Sequence, residues 1–358
     1  MDLGLIGLPQ SGKKTLLRLL TGVDANTTPG SNGNAVPGIC PVRDPRVERL
    51  TVMYKPKKTT PATIQYLLMP DMTKDSAKNQ ELLKALAKVD ALAHVVRAFE
   101  DETVFHLEGS IDPLRDIETV HAELLLNDLV FVEKRLERIA KEKDRRSSSM
   151  DRTKELALLT RLQAHLNDNL PLRTLLLDAE DDKVLSSADL LTRHPMILIL
   201  NVGEDRVADH ALAEQIKARF TDRQVHVVQV SAKIEEELSQ LDDPAERAAF
   251  LKDLGITESA IDGLTRVSYE ALGLISYFTV GEDEVRAWTV PRGASAARAG
   301  GVIHSDIERG FIRAELMAYQ DLMTLGSEQA VAAAGKAQLK GKEYVVQDGD
   351  ILNFRFSV

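Results

Sequence analysis

A short apolar run, Leu3-Gly4-Leu5-Ile6, stops at Gly7, and a helical pattern of Leu16, Leu17, Leu19 and Leu20 begins soon after. Between them stands Gly7-Leu8-Pro9-Gln10-Ser11-Gly12-Lys13-Lys14-Thr15. Strand, glycine loop and helix in this order constrain the chain to an α/β sheet with a loop at a strand's carboxyl end. The glycines let backbone N–H groups point inward at one anion. The helix N-terminus adds positive potential, and Lys13 is placed to reach the outer phosphates of a nucleotide. The plain alternative is a glycine-rich strand-to-helix turn that binds nothing.

Further buried-strand candidates are Ile64 to Met69, Ala91 to Val96, Met196 to Leu200 and Val225 to Val230, alternating with helical stretches. That alternation predicts a largely parallel, helix-covered sheet. Residues Asn26 to Gly38 carry Gly, Asn, Thr and Pro without an apolar period and read as a long loop. From Ile117 to Leu191 the sheet pattern is interrupted. Leu125, Leu129, Val132, Leu136 and Ile139 recur at helical steps, as do Leu159, Leu162, Leu166 and Leu170. Two helices joined by a polar tip, Asp144 to Asp151, with facing apolar stripes, predict an antiparallel coiled-coil hairpin.

After Leu274, Tyr277 to Val280 and Glu284 to Val290 flank Gly281 with the spacing of a β-hairpin. The segment from Glu343 to Phe356 repeats the alternation around Asp348-Gly349. A small mixed α/β domain follows. The expected division is 1–116 and 193–274 for the two parts of the sheet domain, 117–192 for the hairpin and 275–358 for the C-terminal domain.

The formal net charge is -10 over 358 residues, so no protein-wide positive field draws the chain to nucleic acid or anionic lipid. Cys40 is the single cysteine, which excludes an intramolecular disulfide and a cysteine-based zinc site. The first residues lack the basic start and apolar stretch of a signal peptide, and no run approaches a membrane span. A cytoplasmic protein without membrane contact is expected.

Three positions depart from an ordinary phosphate-binding site. The residue after the loop lysine is normally Ser or Thr, whose hydroxyl holds Mg²⁺, and here it is Lys14. A cation does not ligate a cation. Thr15 is one residue on, turned by about 100° around the helix. In Leu67-Leu68-Met69-Pro70-Asp71-Met72, Leu68 falls where a metal-supporting acid belongs and Asp71 where a γ-phosphate-sensing glycine belongs. Mg²⁺ binding is therefore in question, and no metal ligand is assigned.

Asn201-Val202-Gly203-Glu204 and Ser231-Ala232-Lys233-Ile234 each follow an apolar strand. Both loops lie at carboxyl ends, the rim where a parallel sheet holds ligands. They resemble base-reading elements of G-protein-like folds. The usual guanine-reading version has Asp as the fourth residue of the first motif. Glu204 is longer, and a preference for adenine becomes plausible.

Taken with Asp44-Pro45-Arg46, His94-Val95-Val96-Arg97-Ala98-Phe99-Glu100, Val285-Arg286-Ala287-Trp288-Thr289, Glu308-Arg309-Gly310-Phe311 and Tyr344-Val345-Val346-Gln347-Asp348-Gly349-Asp350, these residues resemble the YchF subfamily of the Obg-like ATPases over nearly the whole chain. The resemblance implies a P-loop G-domain interrupted by a helical hairpin and followed by a ubiquitin-like β-grasp (TGS) domain. It also implies a preference for ATP over GTP and association with ribosomes. The family's catalytic histidine maps onto His106, which by itself reads as a solvated loop histidine. The nucleotide-binding set is Gly7, Pro9, Gln10, Ser11, Gly12, Lys13, Lys14, Thr15, Asn201, Val202, Glu204, Ser231, Ala232 and Lys233.

Departures from the family cluster around the phosphates. The loop Asn is Gln10, the metal Ser is Lys14, the acid is Leu68, the switch Gly is Asp71, and the switch Thr region reads Ser31-Asn32-Gly33-Asn34. Positioning is kept while charge stabilisation is lost, which predicts weak or impaired hydrolysis. A catalytically dead nucleotide-binding fold acting as a ribosome- or protein-binding module is the alternative. Lys134, Arg135, Arg138, Lys141, Lys143, Arg145, Arg146, Arg152 and Lys154 make the hairpin tip basic, although Glu133, Glu137, Glu142 and Asp144 interleave as on a solvated helical surface.

Overall fold

The computed structural model describes residues 1–357 except 28–34, 74–75, 107, 142–148 and 223, and no side chain of 76–78 or 149–151. The Ser31–Asn34 region and most of the Asp144–Asp151 tip lie outside the described residues. The strands, in chain order, are β1 (Asp2–Ile6), β2 (Val36–Pro41), β3 (Lys58–Thr60), β4 (Thr63–Leu68), β5 (Ala91–Ala98), β6 (Met196–Val202), β7 (Val225–Val230), β8 (Leu274–Thr279), β9 (Glu284–Pro291), β10 (Phe311–Ala318), β11 (Gln338–Lys340) and β12 (Asp350–Phe356). Two compact units are formed, one from residues 1–38 and 65–264, the other from 39–64 and 265–358.

The first unit is built on a sheet in the order β2-β4-β1-β5-β6-β7. Strand β1 pairs in parallel with β4 and β5, β5 with β6, and β6 with β7. All eight residues of β5 and all seven of β6 are buried, as expected of central strands covered on both faces. The five strands expected from apolar runs form at their expected places. The region read as a loop from Asn26 to Gly38 instead ends in β2. Its buried and exposed residues alternate strictly, with Pro37 and Pro41 on the exposed side of an edge strand, where a missing N–H costs no ladder bond.

The interruption between β5 and β6 contains the helices Pro113–Lys141 and Ser149–Asn167. The first is shared between two cores. Ile117, Val120 and Leu124 join the cluster under the sheet, whereas Val132 and Ile139 pack with Leu158, Leu159, Leu162 and Leu166 of the second helix. Arg135 pairs with Glu155 and Glu133 faces Gln163, an antiparallel register. Leu170, expected on the apolar stripe, is exposed beyond the helix end.

Where the chain returns to the sheet, Asp128 is fully buried and accepts from Leu191 N, Thr192 N and Thr192 Oγ at 2.8, 2.8 and 2.6 Å. Burial pushes its carboxyl pKa up, against those hydrogen bonds. The hairpin helices and the sheet thus fall in one compact unit.

The second unit has a mixed sheet in the order β11-β10-β12-β8-β9-β3. Strands β8 and β9 form the expected hairpin, and the helix Ala296–Ile303 covers a core of Ile275, Tyr277, Val290, Leu316 and Leu352. Strand β12 begins after the Asp348-Gly349 turn and pairs antiparallel with β10 and parallel with β8. The segment before that turn, expected to alternate as a strand, contributes only an isolated bridge from Val345 to Ser295. Residues 39–64 group with this unit, whereas the sequence placed them with the sheet domain. The reason is a three-residue parallel pairing of β3 with β9, supported by Arg46, which donates to Asp348 Oδ2 at 2.7 Å.

Candidate functional site

The glycine loop lies between β1 and the helix Lys13–Thr21, at the carboxyl edge of the first sheet. Two of its glycines are required by the space around them. Gly7 has φ +146°, and a Cβ there would meet the Val95 carbonyl at 2.4 Å; Gly12 has φ +95°, and a Cβ would meet Asn201 Nδ2 at 2.3 Å. Gln10 also sits in the left-handed region, at φ +59°. That conformation costs a non-glycine side chain on the order of 1 kcal/mol, less for asparagine.

Gly12 caps the helix without a side-chain acceptor, and no acid occupies the first turn, so the positive end of the helix faces the loop unneutralised from within. Lys13 folds back into the loop and is only 4 % exposed. Its Nζ donates to the Gly7 carbonyl at 2.9 Å and the Leu8 carbonyl at 2.7 Å, and pairs with Asp71 Oδ1 at 2.7 Å. Burial pulls its pKa down, while Asp71 works in the opposite direction.

The two base-reading candidates meet the glycine loop through one side chain. Asn201, at the end of β6, donates from Nδ2 to the Ser11 carbonyl at 3.0 Å and accepts at Oδ1 from Ala232 N at 3.1 Å. Val202 is buried beside it, and Ser231 Oγ is a buried hydroxyl that makes no hydrogen bond among the described residues. Glu204 and Lys233 pair with each other at 2.5 Å on the exposed rim, which raises the Lys233 pKa. The Glu204 carboxylate, a base-reading candidate by its sequence position, is therefore already engaged.

The residues around the glycine loop do not fit Mg²⁺. Lys14 is exposed and donates to Asn26 Oδ1 at 3.1 Å, Leu68 is a buried apolar side chain, and Asp71 is held by Lys13. Neither the hydroxyl nor the carboxylate that such an ion takes from this fold stands in its place. Thr15 is half-buried on the helix and Pro9 half-buried in the loop. Among the described residues, no group of three or more His, Cys, Asp and Glu side chains is placed to hold a metal.

His106 is not the solvated loop residue its sequence context suggests. Its side chain is 9 % exposed, Nδ1 accepts from Glu108 N at 3.1 Å, and Nε2 lies 3.1 Å from Asp116 Oδ2. An accepting Nδ1 leaves the proton on Nε2, facing the carboxylate. Asp116 is also held by Arg115, at 2.8 Å.

Arg97 is the organiser that motif reading passed over. Buried at the end of β5, it donates to the carbonyls of Phe99, Val104, Phe105 and Asp101, with its guanidinium 4.6 Å from the Phe99 ring centroid. An arginine in a strand, Ala91 to Ala98, that is apolar apart from it and His94 was the available signal.

Comparison with known proteins gives a consistent result. The family model described as "YchF-GTPase_C: Protein of unknown function (DUF933)" matches residues 274–357. The protein called ribosome-binding ATPase YchF in Bacillus subtilis is 41 % identical over 367 residues, covering 99 % of both chains. Its counterpart of the same name in Escherichia coli O157:H7 is 36 % identical, again over 99 % of both. The solved structure of the Schizosaccharomyces pombe YchF GTPase superposes with a TM-score of 0.85 at 32 % identity, covering 99 % of this chain and 97 % of that one. A GTP-binding protein from Pyrococcus horikoshii, at 20 % identity and a TM-score of 0.58 over both full chains, shares the fold.

Proposed function

Because the chain belongs to the YchF family, we propose that it binds adenine nucleotide at the glycine loop, ATP in preference to GTP, and hydrolyses it weakly in association with ribosomes. The observation that carries this reading is the Asn201 carboxamide, which fixes the phosphate loop and the Ser231 loop at one separation. A nucleotide, with phosphates at one end and a base at the other, is the ligand that such a spacing serves. The Glu204–Lys233 pair supports adenine, since it occupies the carboxylate a guanine would need. Lys14 and Leu68 at the metal positions support weak turnover, because phosphoryl transfer depends on charge stabilisation they do not supply.

In this reading His106, oriented by Asp116, is the catalytic loop imidazole, and the described basic residues of the coiled-coil hairpin, Lys134, Arg135, Arg138, Lys141, Arg152 and Lys154, face ribosomal RNA. Residues 275–358 are the TGS domain and the second macromolecular contact, 117–192 is the insertion, and the G-domain comprises 1–116 and 193–274 apart from 39–64, which group with the C-terminal unit. The working compartment is the cytoplasm; among the described residues no helix is long and apolar enough to cross a membrane.

Calorimetric titration of the full chain with ATP and GTP, each with and without Mg²⁺, tests the proposal. Tighter binding of ATP than GTP, unaffected by Mg²⁺, is the expected result. No binding of either nucleotide would replace the proposal with that of a binding module lacking nucleotide.

A further inference from the structure

The ammonium of Lys13 has three N–H groups, and three partners take them: the carbonyls of Gly7 and Leu8 and the carboxylate of Asp71, with Ser11 Oγ at the outer limit of 3.5 Å. Two of those partners are the loop's own backbone. The third is an anion, at the 2.7 Å separation of a charge-assisted hydrogen bond, where a phosphate oxygen would sit.

The backbone that presents Asp71 is fixed on both sides. Met69 N donates to the Leu5 carbonyl at 3.0 Å and Met72 N to the Gly7 carbonyl at 3.3 Å, with Met72 buried in the core. Behind it, the buried Asn79 accepts from Thr73 N at 3.0 Å and donates to the Thr73 carbonyl at 2.8 Å. Asp71 itself is 49 % exposed, so its carboxylate stands at the mouth of the loop and Lys13 behind it.

Resting on the nucleotide-binding reading above, we infer that Asp71 stands in for the terminal phosphate and makes this site select a nucleoside diphosphate over a triphosphate. The backbone N–H groups of residues 10–13, beyond Pro9, are the donors that such a loop offers to the inner phosphates. A third phosphate, in contrast, brings its charge onto a carboxylate that already neutralises the lysine. Like charges at that range disfavour each other, and among the described residues no metal ligand set stands nearby to offset them. A triphosphate must turn Asp71 away from Lys13 before it binds; a diphosphate does not.

The test is calorimetric titration of ADP and ATP into the wild-type chain, Asp71→Asn and Asp71→Gly, in EDTA and again with Mg²⁺. The asparagine keeps the side-chain shape without the charge, and the glycine removes both. ADP is expected to bind the wild type at least about tenfold more tightly than ATP, a difference of about 1.4 kcal/mol. Both variants should narrow that ratio at least fivefold, with thermal unfolding curves reporting that they fold. Equal affinity for ADP and ATP in the wild type, or a ratio unchanged in both folded variants, overturns the inference and leaves nucleotide binding standing. Binding of neither nucleotide to any of the three proteins removes both readings together.

Discussion

Asn201 Nδ2 lies 3.0 Å from the Ser11 carbonyl while Oδ1 of the same side chain accepts from Ala232 N, so a single carboxamide sets the distance between two loops that follow different strands. Both contacts are buried, and a buried group left without its partner costs about 1–3 kcal/mol. Asn201→Ala is expected to destabilise the first unit by about that amount and to weaken nucleotide binding at least tenfold. Urea denaturation and calorimetry measure the two effects separately. A destabilised variant with unchanged affinity would show that the bridge holds the fold and not the site.

Acid acts on the second unit through Asp348. Burial works to raise its carboxyl pKa, yet the Arg46 guanidinium and the Ser276 N–H, at 2.7 and 2.9 Å, together hold it below the usual carboxylate value. A depressed folded-state pKa contributes stability above the unfolded value of about 3.9 and loses it as pH falls through the folded value. Unfolding of the second unit, followed by Trp288 fluorescence, should therefore become easier from about pH 5 downward. Asp348→Asn should flatten that part of the profile and lower the plateau at neutral pH.

Lys14 and Leu68 are expected to limit turnover rather than binding. Restoring the metal-holding side chains together, Lys14→Ser with Leu68→Asp, should make phosphate release from ATP dependent on Mg²⁺ and raise it at least tenfold over the wild type. Each single change should do less, because a hydroxyl without its carboxylate forms half a site. Turnover unchanged in a folded double variant would count against the roles given to these two positions.

The central sheet and the glycine loop were legible because their signals are local. Fully apolar strands such as Met196 to Leu200 and the paired glycines at 7 and 12 need no knowledge of what packs on them. What escaped reading depends on pairings distant in sequence. Strand β3 has three residues and no apolar pattern, and it exists because β9, more than two hundred residues later, offers an edge. Pro37 and Gly38 spell a loop unless the strand is known to lie at a sheet margin.

The site shows the same division. The glycine loop, the Asn201 motif and the Ser231 motif were visible as motifs, and the structure brings them into one place. The engagement of Lys13 by Asp71 was not visible, because the sequence locates Asp71 after a strand without telling which way its carboxylate turns. The pairing of His106 with Asp116 depends on ten intervening residues folding back, which no periodicity encodes.

The helix Pro113–Lys141 runs without interruption for 29 residues, about 44 Å, and Asp128 pins it near its middle. Its two halves therefore share one rotational phase. One residue inserted between Val120 and Asp128 would turn everything beyond by about 100°, carrying Val132 and Ile139 off the stripe formed by Leu158, Leu162 and Leu166. An insertion of seven residues would nearly restore the phase and lengthen the arm by about 10 Å. The length of this helix is thus free to vary only in steps that its own periodicity permits, and the orientation of its distal end is written in the residues nearest the sheet.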